Sequence, residues 1–245
     1  MLAAYESAPR ADRVIVALDC DRATALDLAK KLQGKAKWLK VGMTLYYAEG
    51  PSIVREFKDR GFKVFLDLKF HDIPHQVRGA ARSAAGAGAD LLSVHGLGAG
   101  AMLKAAREGA EEAAEAMGAE RAKLVAITVL TSMDEAAMVQ IGLTCPIADE
   151  AARLASLAKG SGIDGIVCSP REAAEMRELL GPDALIVTPG VRPAGAELGD
   201  QSRVATPAAA ISAGASHLVI GRPITGAQNP VASYEAIVEE LVRDA

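Results

Sequence analysis

Length, composition and charge are those of an ordinary globular protein. The 245 residues are 50% apolar and 24% charged, which is enough apolar material for a sizeable core. The formal net charge is −4 and no block is rich in lysine or arginine, which argues against extended binding to nucleic acid or to anionic membrane surfaces. The apolar runs are too short to span a membrane.

Short apolar runs alternate with longer stretches rich in Ala, Leu, Glu and Lys along the chain. The runs are almost continuously apolar, which is typical of strands buried on both faces of a parallel sheet. We predict strands at residues 14–18, 38–41, 64–68, 91–95, 124–130, 165–169, 185–189 and 217–221. Helices are predicted at residues 24–32, 51–60, 77–87, 99–117, 147–159, 170–180, 206–213 and 230–243.

This alternation predicts an α/β fold, a single-domain (β/α)8 TIM barrel over residues 12–245. A flexible N-terminal segment is expected at residues 1–11. A doubly wound open sheet is the structural alternative, but the first strand ends Ala-Leu-Asp-Cys-Asp, without the glycine-rich fingerprint of a dinucleotide fold. Residues 192–203 are predicted to form the loop after the seventh strand, where such barrels often bind phosphate.

Polar residues at the C-terminal ends of the predicted strands are the candidates for an active site. The first strand ends with Asp19, the second contains Lys40, and the third contains Asp67 and Lys69, with Asp72 just beyond. Asp67 and Lys69 are two residues apart, so they share one face of a strand. Because inward-facing charges are costly unless paired, we predict an alternating Lys/Asp network here, with a solvated loop cluster as the alternative.

Three histidines lie near this cluster. His95 ends the fourth strand, where a lone histidine is often only a hydrogen-bonded structural residue. His71 and His75 flank Asp72, and their spacing of four resembles that of metal ligands. They span a strand–loop–helix junction that contains Ile73-Pro74, so we predict no metal site.

The three cysteines, Cys20, Cys145 and Cys168, are far apart and odd in number. They fit neither a disulfide framework nor a zinc site. We therefore expect reduced thiols in a cytoplasmic protein, and the charged N-terminal segment predicts no signal peptide.

A phosphate site is predicted at the end of the eighth strand. Gly221 would let backbone N–H groups approach an anion, and the guanidinium of Arg222 can pair with phosphate through two hydrogen bonds. Arg192 and Gln201, in the loop after the seventh strand, could close over the anion. The alternative for the Gly-Arg pair is a turn followed by a surface arginine.

These motifs together resemble those of the bacterial orotidine 5'-phosphate decarboxylase family. Asp-x-Lys-x-x-Asp alone is shared with related barrels, whereas the whole combination is specific. Ile73 stands where some members carry a threonine. The matching motifs follow one another from about residue 13 to the C-terminus: Val-Ala-Leu-Asp19, Leu-Lys40-Val-Gly, Asp67-Leu-Lys69-Phe-His-Asp72-Ile-Pro, Val-Leu-Thr131-Ser-Met, Thr-Pro-Gly-Val-Arg192, Gly-Asp-Gln201 and Val-Ile-Gly221-Arg222.

The resemblance implies decarboxylation of orotidine 5'-phosphate to UMP and CO2, a carbon–carbon lyase reaction of de novo pyrimidine biosynthesis that uses no cofactor. Lys40, Asp67, Lys69 and Asp72 would form the catalytic network, with Lys69 as proton donor to C6. The resemblance also implies a homodimer with shared active sites, in which Asp72 and Ile73 reach into the site of the partner chain.

Substrate contacts are likewise implied by the resemblance. Asp19 and Lys40 would bind ribose hydroxyls, and Thr131, with Ser132 beside it, would lie near the pyrimidine. Gln201, Gly221 and Arg222 would hold the phosphate, with Arg192 nearby. In chain order, the implied substrate-binding residues are Asp19, Lys40, Asp67, Ile73, Thr131, Arg192, Gln201, Gly221 and Arg222.

Two alternatives remain at this point. A metal-dependent sugar-phosphate decarboxylase or hexulose-phosphate synthase on a related barrel would share Asp-x-Lys-x-x-Asp, but Lys40 would repel the magnesium ion that such an enzyme needs. A non-catalytic nucleotide-binding or scaffold barrel would need the phosphate site but not several buried charges.

Overall fold

The structure, a computed structural model, describes residues 9–192 and 205–243. Eight parallel strands close into a barrel in which each strand pairs with the next and the last pairs with the first. The predicted (β/α)8 TIM barrel is confirmed. Its strands are β1 (Val14–Leu18), β2 (Trp38–Gly42), β3 (Lys63–Phe70), β4 (Leu91–His95), β5 (Lys123–Ile127), β6 (Gly165–Val167), β7 (Leu185–Thr188) and β8 (His217–Ile220).

Helices surround the barrel, and three short ones, at residues 43–49, 135–140 and 222–225, were not predicted from the sequence pattern. In the part of the chain that the structure describes, no helix combines the length and apolar character needed to cross a membrane. The helices are α1 (Arg22–Leu32), α2 (Met43–Glu49), α3 (Ser52–Asp59), α4 (Pro74–Gly86), α5 (Ala99–Met117), α6 (Glu135–Gln140), α7 (Ile147–Gly160), α8 (Ala173–Leu180), α9 (Pro207–Ser212), α10 (Arg222–Thr225) and α11 (Pro230–Arg243).

The barrel interior is an apolar layer beneath a charged one. Side chains alternate along each strand, so Lys40 follows Trp38 on the inner face of β2 and Asp67 follows Phe65 on that of β3. The charges therefore lie one layer nearer the C-terminal end of the barrel, above close-packed side chains that exclude water. The apolar layer contains Ile15, Ala17, Phe65, Leu91, Val125, Val187 and Val219.

At the opposite end of the barrel, two aspartates tie neighbouring strands together. Asp90 precedes β4, and its Oδ2 accepts a 2.8 Å hydrogen bond from Val64 N of β3. Asp164 precedes β6, and its Oδ2 accepts a 2.9 Å bond from Leu124 N of β5. Each aspartate side chain thus accepts from the N–H of the second residue of a neighbouring strand, near the point where the ladder begins.

The fifth strand ends earlier than the sequence predicts. It was predicted to reach residue 130, but β5 ends at Ile127. Thr128 Oγ1 donates a 2.9 Å bond to Val167 O of β6, and the chain then leaves the sheet. The flexible N-terminal segment predicted at residues 1–11 stays a prediction. Its described end enters a 3-10 turn that runs from Arg10 to Arg13, where Arg13 Nε donates to Ser216 O at 3.0 Å. Residues 1–8 lie outside the described residues.

Candidate active site

A cavity of about 500 Å³ opens at the C-terminal end of the barrel. Its floor is apolar, with Phe65, Val167 and Val219 among the residues that form it. Eight residues that the sequence analysis proposed for the site line this same cavity: Asp19, Lys40, Asp67, Lys69, Thr131, Arg192, Gly221 and Arg222.

Four of these residues form a continuous line of alternating charge. Lys40 Nζ lies 2.8 Å from Asp19 Oδ1 and 3.6 Å from Asp67 Oδ2. Lys69 Nζ lies 3.0 Å from both carboxylate oxygens of Asp67. Three neighbouring strands thus bring opposite charges together in the order that the strand pattern predicted, which lowers the cost of burying them.

Asp67 is the centre of the line and is only 9% exposed. Burial alone would raise its pKa, but the charges of Lys40 and Lys69, with hydrogen bonds from Lys69 and Ser93, outweigh burial and lower the pKa below its usual value. The carboxylate is therefore ionised at neutral pH and holds two ammonium groups against the cavity.

Ser93 and Gly42 belong to the site but were missed by the sequence analysis. Ser93 Oγ lies 2.8 Å from Asp67 Oδ1 and 2.8 Å from Lys69 N. A Cβ at Gly42 would come within 2.7 Å of Asp19 Oδ1 and 2.9 Å of Lys40 Nζ, so the missing side chain leaves room for that ion pair. No sequence pattern marks Ser93 as a site residue. For Gly42, the one available signal was its place two residues after Lys40 in the Leu-Lys-Val-Gly motif.

His95 and His71 stack at the edge of the site, with ring centroids 5.1 Å apart. Burial, helped by His71 and Lys69, lowers the pKa of His95 to about 4. The neutral ring therefore accepts a 3.3 Å hydrogen bond at Nδ1 from Leu97 N. This contact agrees with a structural, hydrogen-bonded role for His95. His75 is exposed on α4.

Asp72 and Ile73 are not brought into the network of their own chain. Asp72 Oδ1 accepts a 2.6 Å hydrogen bond from Ile73 N, and the Ile73 side chain is 62% exposed. Both lie on the turn between β3 and α4, and neither is among the residues that line the cavity. Their predicted entry into a partner's site stays a prediction.

Three of the residues predicted to bind an anion line the same cavity. Gly221 follows β8, Arg222 begins α10, and both line the cavity together with Arg192. Thr131 also lines it, although it lies in the segment beyond β5 rather than at a strand end. Gln201 lies outside the described residues.

Comparison with known proteins agrees over nearly the whole chain. The model of the orotidine 5'-phosphate decarboxylase / HUMPS family matches residues 12–237. An orotidine 5'-phosphate decarboxylase from Halorhodospira halophila is 51% identical over 236 residues, which cover 96% of this chain and 98% of the relative. One from Moorella thermoacetica is 50% identical over 232 residues, with 94% and 92% covered.

Solved structures agree as well. The crystal structure of orotidine 5'-phosphate decarboxylase from Lactobacillus acidophilus superposes with a TM-score of 0.83 and 39% identity, covering 94% of this chain and 99% of that one. The match in sequence and in fold extends through the strands that carry the charged line. The chain therefore belongs to the orotidine 5'-phosphate decarboxylase / HUMPS family.

Proposed function

We propose that this chain decarboxylates orotidine 5'-phosphate to UMP and CO2, without a cofactor, in de novo pyrimidine biosynthesis. The observation that carries the proposal is the alternating line from Asp19 through Lys40 and Asp67 to Lys69, which lies along one cavity with Arg222. A cavity of about 500 Å³ suits a mononucleotide-sized ligand. The two relatives named above as orotidine 5'-phosphate decarboxylases support the same reaction.

Lys69 is the proposed proton donor. When the bond between C6 and its carboxylate breaks, the electron pair stays on C6 and CO2 departs, which leaves a carbanion that the ring delocalises poorly. The Lys69 ammonium would stabilise that charge and transfer one proton to C6, and the resulting amine would regain a proton from solvent. Its position on the cavity lining, 3.0 Å from Asp67, supports this role.

Asp67 and Lys40 would keep Lys69 charged and correctly aimed. Asp67 binds both lysines, so the ammonium of Lys69 is held before substrate arrives and needs little reorganisation during the reaction. Asp19 accepts a hydrogen bond from Lys40, yet its side chain is 59% exposed. It therefore retains acceptor capacity for the ribose hydroxyls that we assign to Asp19 and Lys40.

The phosphate would bind at the opposite side, on Gly221 and Arg222, with Arg192 nearby and Gln201 as a further proposed contact. A guanidinium suits the paired oxygens of a phosphate. Thr131 would lie near the pyrimidine. Because the phosphate is remote from C6, its binding energy would contribute to the transition state by ordering the site around the ring.

We further propose a homodimer with two composite sites, in which Asp72 and Ile73 enter the site of the partner chain. Ile73 on this turn is 62% exposed, and Tyr47 and Met43 of α2, the helix that follows the neighbouring strand β2, are exposed as well. Exposed large apolar side chains are candidates for a protein interface. A cytoplasmic location fits the three cysteines, which no disulfide joins.

The alternative in the same family is a metal-dependent enzyme that acts on sugar phosphates. Magnesium prefers carboxylate and water oxygens, and here Lys40 Nζ stands 2.8 Å from Asp19 and 3.6 Å from Asp67. A cation already occupies the place between the two carboxylates. The arrangement therefore favours the cofactor-free reaction.

One assay separates these possibilities. The purified chain is mixed with orotidine 5'-phosphate, and the change in pyrimidine absorbance is followed with and without excess EDTA. We expect conversion to UMP at the same rate in both samples. Absence of conversion would contradict the proposed substrate and leave the sugar-phosphate alternative open, and a rate abolished by EDTA would contradict the metal-free reaction.

A further inference from the structure

Ser93 connects the two ends of Lys69. Its hydroxyl donates a 2.8 Å hydrogen bond to Asp67 Oδ1 and accepts a 2.8 Å bond from Lys69 N. The ammonium of Lys69 reaches the same Asp67 oxygen at 3.0 Å. Backbone, hydroxyl, carboxylate and ammonium thus form a closed ring, and Ser93 is fully buried within it.

The ring coincides with an irregularity in the sheet. Leu66 pairs with Leu92, and the next paired residue of β3, Phe70, faces Val94, so four residues of β3 advance against two of β4. Within this slip, Lys69 has a φ of +52°, a left-handed conformation that residues other than glycine rarely adopt. The Ser93 hydroxyl takes the place of a backbone acceptor for Lys69 N.

We propose that Ser93 is a positioning residue for decarboxylation: it holds the Lys69 backbone in its left-handed conformation and fixes the Asp67 carboxylate that aims the Lys69 ammonium. This role rests on the proposed function. A single hydroxyl can make both hydrogen bonds, because it donates its proton to Asp67 and accepts the Lys69 N–H with a lone pair. Neither lysine nor aspartate can then rotate without breaking a buried hydrogen bond.

The Ser93 hydroxyl also affects the pKa of Asp67. Burial raises the pKa of Asp67, and Lys40, Lys69 and the Ser93 hydrogen bond together lower it. Loss of the hydroxyl should therefore move the pKa of Asp67 upward. If ionised Asp67 is needed for turnover, the acid limb of the pH profile should move to higher pH.

The test compares Ser93→Ala with Ser93→Thr and with Ser216→Ala. Ser216 is a matched control at the other end of the barrel: it is fully buried, and its hydroxyl also accepts one backbone bond, from Ile186 N at 2.7 Å, and donates one, to Ile186 O at 2.9 Å. Ser93→Cys keeps the side-chain size while weakening both bonds, and replaces the alanine variant if that one does not fold.

We expect kcat of Ser93→Ala to fall roughly 10- to 100-fold with a smaller change in KM, since misplacement of a reacting group costs about this much. Its acid limb should move to higher pH, and Ser93→Thr should recover most of the rate. Ser216→Ala should lose similar stability towards urea yet keep kcat within about twofold of the original chain. Unchanged kcat and acid limb in Ser93→Ala, or equal losses of kcat in both alanine variants, would overturn the proposal.

A structural readout separates this proposal from the proposed reaction. If the unmodified chain does not decarboxylate orotidine 5'-phosphate, the proposed reaction is contradicted. Crystal structures of that chain and of Ser93→Ala then still test whether Ser93 positions Lys69. We expect Lys69 to leave its positive φ and its ammonium to move away from Asp67. An unchanged Lys69 in the variant would refute the positioning role.

Discussion

Lys69 Nζ lies 3.0 Å from each carboxylate oxygen of Asp67, two residues earlier in β3. The pair forms one end of the charged line, and both residues line the cavity. Because Asp67 is also 3.6 Å from Lys40, removing Asp67 takes a partner from both lysines, and removing either lysine leaves the buried carboxylate with one cation fewer. The sharpest tests of the proposed chemistry therefore begin with these side chains.

Lys69→Ala should lower kcat by about 10²- to 10⁴-fold, because it would remove the group that we propose both stabilises the carbanion and donates the proton. Turnover of orotidine 5'-phosphate and circular dichroism are measured on the same sample. Lys63→Ala is the matched control, since Lys63 is exposed at the opposite end of the same strand. Near-normal UMP production by folded Lys69→Ala would remove Lys69 as the donor.

Gly42→Ala should impair substrate binding more than folding. Gly42 has φ −91° and ψ −179°, which any residue can adopt, so its backbone is not the reason for glycine. The added methyl would meet Asp19 Oδ1 at 2.7 Å and Lys40 Nζ at 2.9 Å, and both atoms are the ends of side chains rather than backbone. The ion pair would be displaced at little cost to the fold.

For Gly42→Ala we expect kcat/KM to fall roughly tenfold or more, mainly through KM, with a small change in the urea midpoint. Gly160→Ala is the control, because a Cβ at that position meets nothing within 4 Å. Equal kinetics in the two variants would show that the space at Gly42 does not matter for the site.

Arg222→Ala should lower kcat/KM, although the phosphate that we propose it binds is remote from the reacting carbon. Loss of a charge-assisted contact to phosphate is expected to cost roughly 10- to 100-fold. Steady-state kinetics measure the effect, with Arg243→Ala at the end of α11 as the control. Unchanged kcat/KM in Arg222→Ala would refute the proposed phosphate site.

Shared active sites predict complementation between two inactive chains. In a dimer of one Lys69→Ala and one Asp72→Ala chain, one site has both defects and the other has none. Random mixing should then restore up to about a quarter of the original activity, since half of the dimers are mixed. The activity of separately tagged, purified heterodimers is the measurement, and no recovery in them would contradict composite sites.

Asp164 should make stability depend on pH at the other end of the barrel. Burial raises its pKa, but hydrogen bonds from Arg121 and Leu124 N lower it below the usual value. A lowered folded-state pKa means that the carboxylate stabilises the fold above the unfolded value, near pH 4, and that this contribution fades as pH falls through the folded value.

We expect Asp164→Asn to lower the free energy of unfolding at pH 7 by about 1–3 kcal/mol and the difference from the original chain to shrink below about pH 4. Urea unfolding at both pH values measures this. Asp27→Asn, which removes only an exposed pair with Lys31, should change stability little. A difference that does not vary with pH would show that the charge of Asp164 is not responsible.

Much of the fold could be predicted because its elements are encoded locally. The bounds of β1, β4, α5 and α11 agree with the predicted ranges, since each combines continuous or periodic apolar residues with clear ends. The apolar run after Ile127 was misread as strand, because hydrophobicity alone cannot tell a strand residue from one that covers a cavity. The short helices α2, α6 and α10 give too little periodicity to recognise.

The sequence by itself determined the strand rhythm, the shared inner face of Asp67 and Lys69, and the family motifs that point to this site. Only the tertiary structure decided that Ser93 completes the ring around Lys69 and that Gly42 makes room for the neighbouring ion pair. Periodicity reports which way a side chain faces along its own strand. Which residue stands opposite depends on the register between strands, and the slip between β3 and β4 comes from contacts distant in sequence.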